Sequence, residues 1–209
     1  MAVLVVNCGS TSVKVVVVDP NSGKRFAELR AERLGSDQAT LRFNDAAPEP
    51  CPILHADAIR DALPRLLKSL SSDLSIESVG HRVVHGGERF TTPTLLREET
   101  VASIEDLERL APLHCRANVA GIRAARTILP DVPHVAIFDT AFHHKMPPRA
   151  RTYAVPQDLA SRHDLRRFGF HGTSHQFVAE RVAEFLGRDL RELRVISCHL
   201  GGGCSCLLY

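Results

Sequence analysis

Two apolar runs rich in β-branched residues open the chain, Val3–Val6 and Val13–Val18, separated by the polar stretch Asn7-Cys8-Gly9-Ser10-Thr11-Ser12. Short runs of this kind, bounded by turn residues, read as buried strands. The pattern continues with a third strand over Lys24–Leu34 and a short one over Thr40–Phe43. The stretch 35–55 is otherwise irregular, and Pro48, Pro50 and Pro52 mark it as a surface excursion. Ala56–Leu70 then carries apolar residues at 59, 63, 66, 67 and 70, a helical period. Ser78–Gly87 returns to strand, interrupted by His81, Arg82 and His85. Beyond it the pattern predicts helices over Ile104–Leu110 and Asn118–Leu129 and a strand over His134–Phe138. A short strand over Arg151–Pro156, a helix over Gln176–Leu186 and a strand over Arg194–Cys198 complete the reading.

Several polar clusters sit where these elements end. The Asn7–Ser12 turn is either an ordinary polar hairpin tip or a phosphate cradle. Gly9 permits a left-handed turn, Ser10 and Ser12 add hydroxyls, and Lys14 adds a charge. Arg82, in a strand running into Gly86-Gly87, is either a paired structural arginine or a fork aimed at phosphate or carboxylate. His114 lies in a connection just ahead of a predicted helix start, a position that favours a small anion. Asp139 follows a buried strand, where open α/β sheets place their chemistry. It either caps the next turn or holds Mg²⁺ through water. His143-His144 invites a metal reading, yet adjacent histidines rarely face one ion. Phe170 and His171 are bracketed by Gly169 and Gly172, with Thr173 or Ser174 as the expected N-cap of the following helix. Three glycines, Gly201–Gly203, follow the last strand and its His199 and again suit phosphate.

Composition narrows the class. The 209 residues are 44% hydrophobic and 24% charged, so the chain is globular and long enough for a sizeable core. A net charge of +2 gives no argument for nucleic acid or an anionic membrane surface. No apolar run approaches the ~20 residues of a spanning helix. Strand-like sequence from Val3 leaves no room for a secretory leader, so a cytoplasmic address is expected. The six cysteines are scattered, and Cys204-x-Cys206 is too tight for the usual zinc pair, so thiols in a reducing compartment are expected.

Six stretches in order, NCGSTSVK at 7–14, GHRVVHGGE at 80–88, APLHCRAN at 111–118, FDTAFH at 138–143, RRFGFHGTSH at 166–175 and CHLGGG at 198–203, resemble the acetate kinase family. The resemblance covers nearly the whole chain. It implies a ribonuclease-H-like α/β fold of the actin, sugar kinase and heat-shock ATPase type. That fold is a three-stranded antiparallel meander plus parallel strands, with helices on both faces. Residues 1–150 would form the N-terminal domain, and 151–209 a substrate-pocket segment and the start of a nucleotide domain. The implied reaction transfers a phosphoryl group in line from ATP to acetate with Mg²⁺. By the same resemblance Asn7, Ser10, Ser12 and Lys14 form a phosphate hairpin, Asn7 binds Mg²⁺ together with a glutamate beyond this chain, and Asp139 lies near the ion and Asn7. Arg82, His171 and Asp139 are the catalytic residues. Arg82 and His114 contact the substrate, and Val84, Leu113 and Phe170 enclose its methyl group. His199 with Gly201, Gly202 and Gly203 forms a second phosphate loop.

Gly202 stands where the family has asparagine, and the chain ends at Tyr209, about halfway along the family's length. The adenosine pocket, a second arginine and a magnesium-binding glutamate are expected beyond that point. This stretch alone is expected to be inactive as an acetate kinase, to bind ATP weakly and to self-associate, and the full-length protein to be a homodimer. The alternatives are a propionate or butyrate kinase, a non-catalytic phosphate-binding or interaction domain, and a metal-binding protein exploiting eleven histidines and six cysteines.

Overall fold

The computed structural model describes residues 1–51, 54–201 and 203–208. Gly202 of the expected phosphate loop therefore lies outside the described residues. The chain divides into two compact units, Met1–Val83 with Pro93–Ile137, and Val84–Thr92 with Phe138–Tyr209.

The first unit is organised by strands β1 (Ala2–Cys8), β2 (Ser12–Val18), β3 (Arg25–Glu32), β4 (Thr40–Phe43) and β5 (Glu49–Pro50). Helix α1 (His55–Lys68), strand β6 (Ile76–Val83), strand β7 (Thr94–Leu95), helix α2 (Glu98–Glu105), helix α3 (Pro112–Ile128) and strand β8 (His134–Phe138) follow. The sheet order is β5-β4-β3-β2-β1-β6-β8-β7. Strands β1 to β4 form an antiparallel meander, and β6 joins β1 in parallel. Alternation sets the core: Leu4, Val6, Val13, Val15, Val17, Leu29 and Val79 are fully or almost fully buried. Against them α1 packs Ile59, Leu63 and Leu66, spaced to share one helical face. The opposite residues of the same strands, including Val3, Val5, Asn7 and Lys14, are more open.

Two expectations for this unit change. Helix α3 begins at Pro112, six residues before the predicted start, because proline at the first helical position gives up no hydrogen bond. His114 therefore lies inside the first turn of α3 and not in a connection ahead of a helix. The helical stretch before it is longer as well: α2 begins at Glu98 and continues into a 3₁₀ turn, Asp106–Leu110.

The second unit holds α4 (Pro148–Arg151), α5 (Gln157–His163), α6 (Gly172–Leu186), β9 (Ile196–Leu200) and β10 (Cys204–Leu208). The predicted strand Arg151–Pro156 does not form. Pro148 starts a helical turn that the Thr152 amide and hydroxyl close on the Pro148 carbonyl, and Pro156 leads straight into α5. Strand β10, absent from the sequence reading, pairs antiparallel with β9, placing Ser205 opposite His199 and Cys206 opposite Cys198. Phe90 and Phe138 stack with centroids 4.8 Å apart in the core of this unit.

Among the described residues no helix is long and apolar enough to cross a membrane. Cys8, Cys51 and Cys115 are buried, and Cys198, Cys204 and Cys206 are exposed.

Candidate active site

In the first unit the site is a row at the ends of three adjacent strands. Register aligns Lys14 of β2 with Asn7 of β1, and Asn7 with Arg82 of β6. Residues directly paired across strands share a face, so an ammonium, an amide and a guanidinium stand side by side. Arg82 Nη1 donates to Asn7 Oδ1 at 3.1 Å. The turn above the row is closed by the Gly9 amide on the Ser12 carbonyl at 2.8 Å, which leaves Ser10 exposed at the tip. On α3, His114 is half-buried, while Leu113, expected to line an apolar pocket, is 76% exposed.

In the second unit the segment after Phe138 and the start of α6 come together. Asp139 is fully buried and accepts a hydrogen bond from the Thr173 hydroxyl at 2.7 Å. Neither Thr173 nor Ser174 is the N-cap of α6. His171 holds that position, in the left-handed region at φ 57°, without a side-chain cap. Thr173 is spent on Asp139, and Ser174 meets His199 Nδ1 at 3.0 Å. A side chain at Gly172 would collide with the Asp139 carbonyl oxygen. Glycine there lets the helix start approach the strand end.

The expected pocket residues Val84 and Phe170 both belong to this unit. Val84 is buried and Phe170 is 43% exposed. His85, which the sequence reading used only as a pattern break, links them. Its Nδ1 accepts from the Gly87 amide at 2.9 Å, and its ring meets the edges of Phe168 and Phe170 at 4.5 and 5.7 Å. Burial, reinforced by the Arg166 charge, pushes its pKa down to about 4, so it is neutral at pH 7. Arg166 lies 4.2 Å over Phe168 and pairs with Glu88 at 3.3 Å.

The remaining site residues form a histidine cluster. His171 and His199 stack at 4.0 Å, and His143 and His175 lie close by, with rings 6.1 Å apart. Burial lowers the pKa of both His143 and His175. Gly201 and Gly203 are exposed beside His199, and a Cβ on Gly203 would come within 3.5 Å of His171 Nε2. Sequence reasoning passed over His175, Ser197 and Ser205, since a lone serine or histidine in an apolar pattern carries no signal of its partners.

The carboxylate at Asp139 is a donor of the kind Mg²⁺ takes. This hard ion takes one or two carboxylates and completes its shell with water and phosphate oxygens. A buried carboxylate steadied by a hydroxyl, as at Asp139, fits that habit. The Asn7 amide oxygen is engaged by Arg82, which orients the arginine. Among the described residues no three histidine, cysteine or acidic side chains group to hold a metal by themselves.

The mixed α/β fold, an antiparallel meander with a parallel strand beside it and helices packed on the sheet, is of the ribonuclease-H-like, actin-type class. The comparisons fix the family. The acetokinase family model matches residues 2–208, and the chain belongs to that family. It is 44% identical over 214 residues to the acetate kinase of Thermoanaerobacterium thermosaccharolyticum, covering 98% of this chain and 53% of that protein. It is 45% identical over 208 residues to the acetate kinase of Deinococcus radiodurans, covering 98% and 52%. Among solved structures, a propionate kinase from Francisella tularensis matches with a TM-score of 0.87 at 35% identity, covering 99% of this chain and 54% of that one. The acetate kinase of Porphyromonas gingivalis matches with a TM-score of 0.85 at 37% identity, covering 99% and 54%. The chain thus spans about half the length of the relatives it matches.

Proposed function

We propose that this chain carries the acceptor site and the phosphate-gripping hairpins of a phosphotransferase that moves the γ-phosphoryl group of ATP to acetate. The supporting observation is the row Lys14, Asn7 and Arg82, two cations and an orienting amide at one level of the sheet. A carboxylate is already a nucleophile at pH 7, so the site needs no strong base. It needs donor and acceptor in line and the charge on the transferring group offset. Arg82, held by Asn7, offers a planar fork to the carboxylate and the phosphoryl oxygens. Lys14 with Ser10 and Ser12 grips phosphate at the hairpin. His114 and His171 donate to the transferring group. His199 with the glycine loop 201–203 forms the second grip. Mg²⁺, met by Asp139, supplies charge neutralisation on the phosphates when bound.

In this reading residues 1–150 act as the N-terminal ribonuclease-H-like domain, and 151–209 as the pocket segment leading into a nucleotide domain. The whole protein works as a cytoplasmic homodimer. Val84 and Phe170 of the second unit face the acyl methyl group. Such a pocket separates substrates by only about 1–3 kcal/mol per methylene. The propionate kinase likeness therefore supports propionate as a second acceptor.

The test is calorimetry of the chain with acetyl phosphate, and with inorganic phosphate and acetate separately. Acetyl phosphate is expected to bind more tightly than either half. Affinity no better than that of phosphate would overturn the acyl part of the reading.

A further inference from the structure

Three of the six thiols lie together on one face of the hairpin β9–β10. The register pairs Cys206 with Cys198, Cys204 with Leu200 and Leu208 with Ile196. Paired residues share a face, and so do residues two apart on a strand. One face therefore carries Ile196, Cys198, Leu200, Cys204, Cys206 and Leu208, and all six are exposed. The opposite face turns to α6. There Ser197 and Ser205 lie 2.7 and 2.8 Å from His175, and His199 lies 3.0 Å from Ser174. The thiols stand clear of those hydrogen bonds, and no step of the proposed transfer uses them.

Geometry selects one pair among the three. Direct partners in an antiparallel ladder have Cα atoms about 4.5 or 5.5 Å apart. Both values fall within the ~4.4–6.8 Å span of disulfides. Cys198 and Cys206 are such partners. Cys204 and Cys206 stand two residues apart on one extended strand, with parallel side chains and Cα atoms about 6.6 Å apart. Their Cβ atoms are then well beyond the ~3.8 Å that a disulfide needs. Cys204 and Cys198 are diagonal neighbours, at about 7–8 Å. Hydrogen bonding with Cys198 raises the pKa of the Cys206 thiol, and Cys204 adds to the effect, as sulfurs in contact should.

We propose that Cys198 and Cys206 form a reversible cross-strand disulfide when the chain meets a low-molecular-weight disulfide, with Cys204 left as a thiol. The thiolate of one member of the pair attacks a sulfur of the small disulfide RSSR. The S–S bond of RSSR breaks, one RSH leaves, and a mixed disulfide stands on the protein. The facing thiol gives its proton to water and attacks the protein sulfur of that mixed disulfide. A second thiolate leaves and takes up a proton as RSH. Two cysteines are oxidised, and one RSSR is reduced to two RSH. Pairing across the ladder makes the second step intramolecular, so the mixed disulfide does not persist. Exposure lets a small thiol reverse the reaction. The bridge ties together the two strands that present His199 and Ser205 to α6, from the face those residues do not use.

The test is to incubate the full 209-residue chain with oxidised glutathione, alkylate the remaining thiols and map the products by mass spectrometry. Trypsin cuts after Arg194 and leaves all three thiols in one peptide, residues 195–209. That peptide is expected to be lighter by two hydrogens, to carry one alkyl group on Cys204 and to hold no glutathione. Dithiothreitol is expected to restore three alkylation sites. Cys204→Ser should still form the bridge, whereas Cys198→Ser should keep a glutathione adduct instead. A bridge that includes Cys204 in the unaltered chain would overturn the proposal. So would three alkyl groups after oxidation, a lasting glutathione adduct on the unaltered chain, or a link between two copies. Should a variant fail to fold, the map of the unaltered chain decides alone.

Discussion

Arg82 Nη1 donates to Asn7 Oδ1 across the parallel strands β6 and β1, over a 75-residue separation in sequence, and the register makes the two residues direct neighbours. The bond uses one edge of a fork whose planarity suits two anionic oxygens. Asn7 thus sets the direction in which Arg82 points.

If that is its role, the two residues act as a unit in ligand binding. Arg82→Ala is expected to weaken acetyl phosphate binding by at least about tenfold, in line with loss of a charged hydrogen-bond donor. Asn7→Ala is expected to weaken it less. The double variant should bind no worse than Arg82→Ala, because orientation has no value without the arginine. Calorimetric dissociation constants for the four proteins settle this. Additive losses would show that Asn7 acts separately.

Gly172 and Gly80 make a contrast in stability. A Cβ at Gly172 would collide with the Asp139 carbonyl oxygen, part of the backbone, whereas at Gly80 it would meet only Ile137 Cδ1 at 3.7 Å. Gly172→Ala is expected to cost about 3 kcal/mol or more. That corresponds to a Tm lowered by about 6 °C or more for a chain of this size. Gly80→Ala should stay within about 2 °C of the unaltered protein or rise, since it restricts the unfolded chain. Equal Tm values for the two variants would mean that the helix start yields easily.

The sequence was legible where one face of an element is apolar at a fixed period. Strands β4 and β8 form over the predicted residues Thr40–Phe43 and His134–Phe138. Helix α1 lies within two residues of its predicted bounds. The early start of α3 was hidden because Pro112-Leu113-His114 carries a backbone signal without an apolar period. Strand β10 was hidden for a different reason. It turns Ser205 and Leu207 inward and two thiols outward, a pattern that means nothing until β9 is beside it. The site divides in the same way. Asn7, Lys14 and Arg82 were each readable from local chemistry. Their common level depends on register, and the partnership of His171 with Ser205 depends on a strand that sequence periodicity did not reveal.

Thiol reactivity checks the burial of the cysteines. Burial holds the Cys8 thiol at about 12 and the Cys115 thiol at about 11, and Cys51 is also buried. Thiolate is the reactive form. With an aromatic disulfide reagent at pH 8, Cys198, Cys204 and Cys206 are expected to react first, and the other three only after denaturant is added. Rapid reaction of all six in the native chain would contradict the packing of Cys8 between sheet and helix.

The last prediction concerns acid stability and the buried pair His81–His134. His81 Nε2 lies 2.9 Å from His134 Nδ1, and His134 Nε2 lies 2.9 Å from the Leu129 carbonyl. That carbonyl can only accept, so His134 donates to it and its Nδ1 accepts from His81, which makes the His134 ring neutral. Burial, with the neighbouring His134 and Arg126, pushes the His81 pKa down from 6.5 to about 3. The unfolded chain therefore binds a proton between pH 6.5 and 3 that the folded chain refuses. Stability from this residue is fully present above about pH 6.5 and is lost as pH falls towards 3. Between pH 7.5 and 5 the loss from His81 alone is about 2 kcal/mol. His81→Gln keeps a polar partner for His134 but cannot titrate. Urea unfolding at both pH values should show the variant losing about 2 kcal/mol less than the unaltered chain on acidification. Identical losses in the two proteins would mean that His81 is already protonated, or already free to reach water, in the folded state.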